Sequence, residues 1–383
     1  MSFKGYARSD GSVGVRNYVG IISTVACAND VARWIADHVP GTVAFTHQQG
    51  CGNPGPDMAL VYRTLIGLGS NPNLGAVLLV SLGCEGPAEH LQQGIARSGK
   101  RVEKVIVQQI GGASNAFNEG CRLAREMVAE ISSLQRQEVD ESRLVIGVKC
   151  GASDTTQGIA ANPAVGAMCD LVVRAGGTCF FGETPEMLGT EHILARRAAS
   201  DQVGTRICEI VEDVEKRAAI LGVDIRGANP SRGNIAGGLS TIEEKSLGAI
   251  VKGGTSTIQG VLAQGEYPQG KGLYVLNSPG QEPKAVTALA ASGAQIIMFA
   301  TGIGAPQGFP FVPVIKVTAN PRTAEHLSEH IDCFVDIFGD ARVEDLGRQI
   351  HQDMLDVASG RLSKAETLNY GAYPDIWTTG SVF

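Results

Sequence analysis

Four apolar, strand-like runs end in turns that carry a cysteine: STVACAND (Cys27), THQQGCGN (Cys51), SLGCEGP (Cys84) and GVKCGASD (Cys150). The last three cysteines each touch a glycine, which lets a bulky group approach the backbone. Three thiolates from separate loops, Cys51, Cys84 and Cys150, can hold a mononuclear ferrous ion, or an iron–sulfur cluster with one iron open to substrate. The alternative is three unrelated loop thiols, since no compact ligand motif is present. The other five cysteines, at 121, 169, 179, 208 and 333, fall inside helix or strand patterns and read as small buried hydrophobes. Nine is an odd number, and there is no C-x-x-C pair, so a disulfide framework is not expected.

Other polar residues gather at the same edges. His47 ends a strand-like run, where the plain reading is a capping or core histidine. Glu85 follows Cys84 at a candidate helix start, where the helix dipole alone favours a carboxylate. Lys149 ends another run beside Ser153 and Asp154, and Asp154 can cap a turn. GYARSDGSVGVRN places Arg16 and Asn17 in a glycine-rich, hairpin-like loop. Further along, ETPEMLGTE supplies Glu183, Glu186 and Glu191, and Lys252 precedes paired glycines. NPSRGNIAGGLSTIEEKSLG supplies Asn234, Thr241 and Lys245. Lys316 lies in the apolar run VPVIKVT, where a lysine is costly unless it is paired or lines a site.

The elements that must position these residues alternate. YVGIISTV (18–25), TVAFTH (42–47), GAVLLVSLG (75–83) and VEKVIVQQIG (102–111) read as strands, with helical patterns such as ANDVARWIADHV, PDMALVYRTLIGLG and GPAEHLQQGIARSG between them. The pattern restarts with LVIGVKCG (144–151), TCFFGE (178–183), GLYVLN, AQIIMFAT and VPVIKVT. Runs apolar on both faces imply parallel sheets covered by helices, a Rossmann-like α/β fold. Asn162 and Pro163 open a helix, and TIEEKSLGAIVKGG reads as a helix with a capping box. The polar stretch SLQRQEVDESR (133–143) reads as a linker, dividing a 1–140 unit from a 141–383 unit, unless the two interleave. The tail LNYGAYPDIWTTGSVF reads as a surface strap. In open α/β sheets ligands bind at the carboxyl ends of the strands, where these candidate residues sit.

The net charge of −7 argues against nucleic acid as a partner. No apolar run approaches the ~18 residues of a membrane span, and the start MSFKGYARSD lacks the apolar core of a signal peptide, so a cytoplasmic location is expected. There is no G-x-G-x-x-G, no phosphate-loop motif, no G-x-S-x-G and no H-E-x-x-H, which leaves nucleotide, serine-hydrolase and zincin chemistry without support.

Taken in order, GYARSDGSVGVRN (5–17), THQQGCG (46–52), LGCE (82–85), KCGASDTTQGIAANPAVG (149–166), ETPEMLGTE (183–191), GNIAGGLSTIEEKSLGAIVKGG (233–254) and VPVIKVTAN (312–320) span nearly the whole chain. With these motifs it resembles the altronate/galactarate dehydratase family, in particular its large catalytic region. The resemblance implies removal of water from a sugar acid to give a 2-keto-3-deoxy acid, with iron required. A sulfolactate-cleaving branch of the family eliminates bisulfite instead. Longer members carry a small β-rich domain ahead of this region. Here the chain begins at GYARSDG, so the resemblance implies a separate small β-rich subunit and an oligomeric assembly. In TGIGAPQG (301–308), Ile303 stands where the family pattern has an arginine, which leaves room for a different 2-hydroxy acid.

Such an elimination needs a base for the proton next to the carboxylate, cations or a metal for the ene-diolate, and an acid for the leaving hydroxyl. His47 or Lys149 is the expected base. Glu85, Asp154 or Glu191 is the expected proton source. Arg16, Asn17, Ser153, Asn162, Asn234, Thr241, Lys245 and Lys316 are the expected contacts to an anionic substrate. The remaining reading is a non-catalytic binding or scaffold subunit.

Overall fold

The computed structural model describes residues 1–85, 88–336, 338–371 and 374–380. The chain opens with β1 (Ser2–Ala7) and β2 (Val13–Gly14), an antiparallel hairpin pairing Tyr6 with Gly14. The next four strands are β3 (Tyr18–Ser23), β4 (Thr42–Phe45), β5 (Leu74–Ser81) and β6 (Arg101–Ile106). They form a parallel sheet in the order β4-β3-β5-β6.

The stretch expected to be a linker instead contains β7 (Gln137–Asp140), which pairs antiparallel with β1 and closes a three-stranded sheet. Its polar composition misled because β7 is a short strand with little buried side chain, held by backbone pairing rather than by an apolar face.

A second parallel sheet follows, of seven strands. These are β8 (Val145–Gly151), β9 (Thr178–Phe181), β10 (Ile258–Ala263), β11 (Gly272–Asn277), β12 (Ile296–Thr301), β13 (Val314–Thr318) and β14 (Cys333–Phe334), in the order β10-β11-β9-β8-β12-β13-β14. Parallel pairing requires crossovers, and helices supply most of them on both faces. The expected parallel α/β architecture is therefore what the chain forms.

The sheets are buried on both faces, which is why their sequences run continuously apolar. Val19, Ile21, Leu78 and Val80 pack toward the helices Asn29–His38 and Ala113–Ile131. Ile146, Val148 and Cys150 pack toward Asn162–Arg174 and Val343–Ala358. The remaining face of each sheet contributes to one shared cluster, joining Ile22, Val77 and Leu79 to Phe180, Ile297 and Phe299. Helices Gly55–Ser70 and Glu282–Ala291 fill this middle layer. A Cβ on Gly67 would lie 2.1 Å from the Ala291 carbonyl oxygen, so only glycine permits that approach.

The tail acts as the expected strap. Gln48 and Gln49 both donate to the Ile376 carbonyl, at 2.6 and 2.7 Å, and Asp57 accepts from Thr379 and Gly380. Asp375 pairs with Lys284 at 3.4 Å.

Candidate active site at the strand ends

Each parallel sheet has one place where the chain reverses its direction of growth, and a crevice opens there at the carboxyl ends. In the four-stranded sheet this lies between β3 and β5, and in the seven-stranded sheet between β8 and β12.

Glu85 occupies the first crevice. Its carboxylate accepts from the hydroxyls of Thr24 (2.7 Å) and Ser81 (2.5 Å) and from the backbone amides of Leu82 (2.9 Å) and Gly83 (2.8 Å). Partial burial opposes ionisation, but the Ser81 and Thr24 hydroxyls, with backbone amides including that of Gly83, outweigh it and hold the group below its ordinary range. A carboxylate held ionised in this way is poorly suited to the expected role of proton source.

His47 is buried. The Gln49 amide donates to its Nδ1 at 3.1 Å, so Nε2 carries the proton and donates to the Ser23 carbonyl at 2.9 Å. Burial drives its pKa down to about 4. Both ring nitrogens are committed to the backbone, so His47 locks the loop that carries Cys51. It has no free lone pair for the expected role of base. The glycine after Cys51 is explained by conformation: Gly52 has φ +87°, a left-handed turn.

The second crevice holds buried charge. Glu183 follows β9 in the left-handed region, at φ +72°, which is uncommon for a residue with a side chain. Its Oε2 accepts from the Cys150 amide (2.7 Å) and Lys252 Nζ (2.9 Å), and its Oε1 lies 3.4 Å from Lys149 Nζ. Lys252 also donates to Cys150 Sγ at 3.3 Å. Burial disfavours every one of these charges, yet Lys252 and Lys149 keep Glu183 below the usual carboxylate range. Lys252 is in turn raised, because Cys150 and Glu183 outweigh its desolvation. Burial pushes the Cys150 thiol up to about 11, with Lys252 opposing.

On the opposite face of β8, Lys149 stands in a row with Phe299 and Lys316. Phe299 of β12 is in register with Lys149 of β8 on one side and with Lys316 of β13 on the other. Laterally paired residues share a face, so both lysines project into the middle layer, roughly 10 Å apart across two strand spacings. Both are fully buried, and among the described residues neither Nζ has a hydrogen-bond partner. The Lys149 ammonium rests 4.0 Å from the centroid of the Phe299 ring, a cation–π contact. The Glu183 contact lacks hydrogen-bond geometry, so Lys149 is neutralised but not saturated. Burial lowers the Lys316 pKa to about 8, with Asp332 partly opposing. Two buried amino groups with unused donors form a ready anion site, since each gains a partner when a carboxylate arrives.

The structure gives most other expected residues structural work. Arg16 forms a bidentate pair with Glu366 (2.6 and 2.8 Å) and donates to three backbone carbonyls. Asn17 links Arg8 to the Ile131 carbonyl. These two stitch the amino-terminal hairpin to the body. Asp154 accepts from Thr156, Gln157 and Asn320, so it caps the turn after β8. Ser153 is buried, and its carbonyl receives Asn234, which also forms a capping box with Ser231. Thr241 caps the helix Ile242–Ile250, while Glu244 reaches Ser240, one residue before the expected partner. Lys245 pairs with Glu186 (3.0 Å) and Asn229 (2.8 Å). Asn162 donates to the Gly248 carbonyl, and among the described residues its buried Oδ1 has no partner, nor has Oε2 of Glu191. The Ile303 amide donates to the Ala152 carbonyl, and its side chain is half-exposed.

An iron held by Cys51, Cys84 and Cys150 does not fit this arrangement. Cys51 and Cys84 are exposed, whereas Cys150 is buried against the Lys252 ammonium, whose charge repels a cation. Among the described residues, no three His, Cys, Asp or Glu side chains converge as a metal site. Of the expected residues, the structure brings together Lys149 and Lys316, with Cys150 behind them. Glu183 and Lys252 were visible as charges near glycines, but their mutual contact depends on a separation of 69 residues. Phe299 carried no polar signal at all.

Family models for the D-galactarate dehydratase/altronate hydrolase second domain and the D-galactarate/altronate dehydratase C-terminal domain match residues 5–132 and 141–381. The chain is 40% identical over 378 residues to the (2R)-sulfolactate sulfo-lyase subunit beta of Chromohalobacter salexigens, covering 96% of this chain and 95% of that one. It is 36% identical to the altronate dehydratase of Bacillus subtilis, covering 95% of this chain and 75% of that one. It is 33% identical to the galactarate dehydratase (L-threo-forming) of Escherichia coli, covering 94% of this chain and 73% of that one. The chain belongs to the D-galactarate/altronate dehydratase family. These relatives are dehydratases and a sulfo-lyase, all lyases, and the chain is a lyase. Among the described residues, no helix is long and apolar enough to cross a membrane.

Proposed function

We propose that the chain eliminates water from a sugar acid or related 2-hydroxy acid to give a 2-keto-3-deoxy acid, as the large subunit of a two-part enzyme. The observation that carries this reading is the row Lys149–Phe299–Lys316, two buried amines with unused donors beside a topological switch point. Lys149, in contact with Phe299 and Glu183, receives the substrate carboxylate and offsets the negative charge that builds as the C2 proton leaves. Lys316 is partly neutral near pH 8 and takes that proton. The electron pair left on C2 forms the C2–C3 double bond, and the C3 hydroxyl departs with a proton that the Lys316 ammonium can return. The resulting enol tautomerises to the 2-keto acid.

Bisulfite as the leaving group is a second reading. It is favoured by near end-to-end coverage of the sulfo-lyase subunit, against about three quarters of the dehydratases. The name of that relative also supports a partner subunit here.

The test is elimination from a panel of sugar acids and sulfolactate, with and without a coexpressed small subunit. A 2-keto-3-deoxy product supports dehydration, and sulfite release supports the second reading. Full activity in Lys149→Ala or Lys316→Ala overturns the assignment.

A further inference from the structure

Three groups converge over Gly151. A Cβ placed there would lie 2.6 Å from Glu282 Oε1, 3.1 Å from Lys149 Nζ and 3.2 Å from the Phe299 ring. Only a residue without a side chain leaves Glu282 and Lys149 this close. Glu282 opens the helix Glu282–Ala291 and is partly exposed, whereas Lys149 is fully buried. Yet Lys149 closes its ion-pair contact with Glu183, not with Glu282. Among the described residues, no group donates a hydrogen bond to the Glu282 carboxylate. An acceptor held beside an unsaturated ammonium, but not joined to it, has the form of a two-point site that lacks its ligand.

We infer that Glu282 is a substrate-contacting residue that accepts the hydroxyl on C2 of the acid whose carboxylate Lys149 holds. This rests on the reading of Lys149 given above. In a 2-hydroxy acid the hydroxyl carbon is bonded directly to the carboxylate carbon, so neighbouring donor and acceptor groups can engage both. A carboxylate accepts hydrogen bonds and does not donate them. Glu282 therefore favours a C2 hydroxyl and repels the C2 carbonyl oxygen of a keto product. It selects the substrate over both the 2-deoxy acid and the product.

The test measures binding of glycerate and 3-hydroxypropanoate, which differ only in the C2 hydroxyl, by ligand-observed NMR on the whole protein. The wild type is expected to prefer glycerate about 10-fold or more, the scale of a hydrogen bond to a charged group. Glu282→Ala should remove that preference through glycerate alone, and Glu282→Gln, which keeps the shape, should reduce it. Lys149→Ala should weaken both ligands. A wild type without preference, or a folded Glu282→Ala that keeps it, overturns the role of Glu282. If Lys149→Ala leaves both affinities unchanged, the reading of Lys149 falls instead.

Discussion

Lys149 and Lys316 flank Phe299 on one face of the seven-stranded sheet, and among the described residues neither amino group has a hydrogen-bond partner. Burying two amines without donors engaged is costly, so the row is a place where stability is given up for binding. Removing Lys316 should lower kcat by at least about 100-fold, the usual contribution of a positioned base. Because burial lowers Lys316 to about 8, kcat/KM should rise as the pH passes upward through that value, and the limb should vanish in Lys316→Ala. A pH-rate profile of both proteins checks this.

Glu183 is the only carboxylate that touches both Lys149 and Lys252 among the described residues. Glu183→Gln should leave two buried charges uncompensated and cost about 3–5 kcal/mol of folding stability. Denaturant titration of the two proteins measures the difference. A loss below about 1 kcal/mol would mean that the lysines find other partners.

Gly151→Ala inserts a methyl among Glu282, Lys149 and Phe299. The expected result is a raised KM for the acid substrate with little change in thermal midpoint, because the first two neighbours are the mobile ends of side chains. An unchanged KM would show that the convergence has no bearing on substrate.

His47 has a folded-state pKa of about 4, below its ordinary 6.5. Between those values the unfolded chain binds a proton that the folded chain does not. Its stability contribution is therefore complete above about pH 6.5 and is lost as the pH falls toward 4, by up to roughly 3 kcal/mol. In His47→Gln the stability profile should be flatter across this window.

Cys51 and Cys84 are exposed and Cys150 is buried, and among the described residues no three His, Cys, Asp or Glu side chains form a metal-ligand group. Iron retained by the purified protein should therefore be unchanged in Cys51→Ala and Cys84→Ala. Loss of metal in both variants, measured by elemental analysis, would show that these loops rearrange around an ion.

Lys316 was legible from sequence because a lysine within VPVIKVT contradicts its apolar neighbours, and among the described residues its Nζ has no hydrogen-bond partner. The parallel sheets were legible for the same reason, as continuous apolar runs. The pairing of Arg16 with Glu366 was not legible because the two lie 350 positions apart. Glu282 gave no signal, since its meaning depends on Gly151 and Lys149 from another strand. β7 was missed because its pairing is made by backbone groups that side-chain patterns do not report.

The strap has a consequence for the timing of folding. Gln48 meets Ile376 across 328 positions, so the two contacts are synthesised far apart in time. The four-stranded sheet can form while translation continues, since domains generally fold as units from the amino terminus. Its Gln48–Gln49 loop then stays unfastened until residues 375–380 arrive. A growing chain thus carries the first crevice early, but the loop beside it is latched only after residues 375–380 have been made.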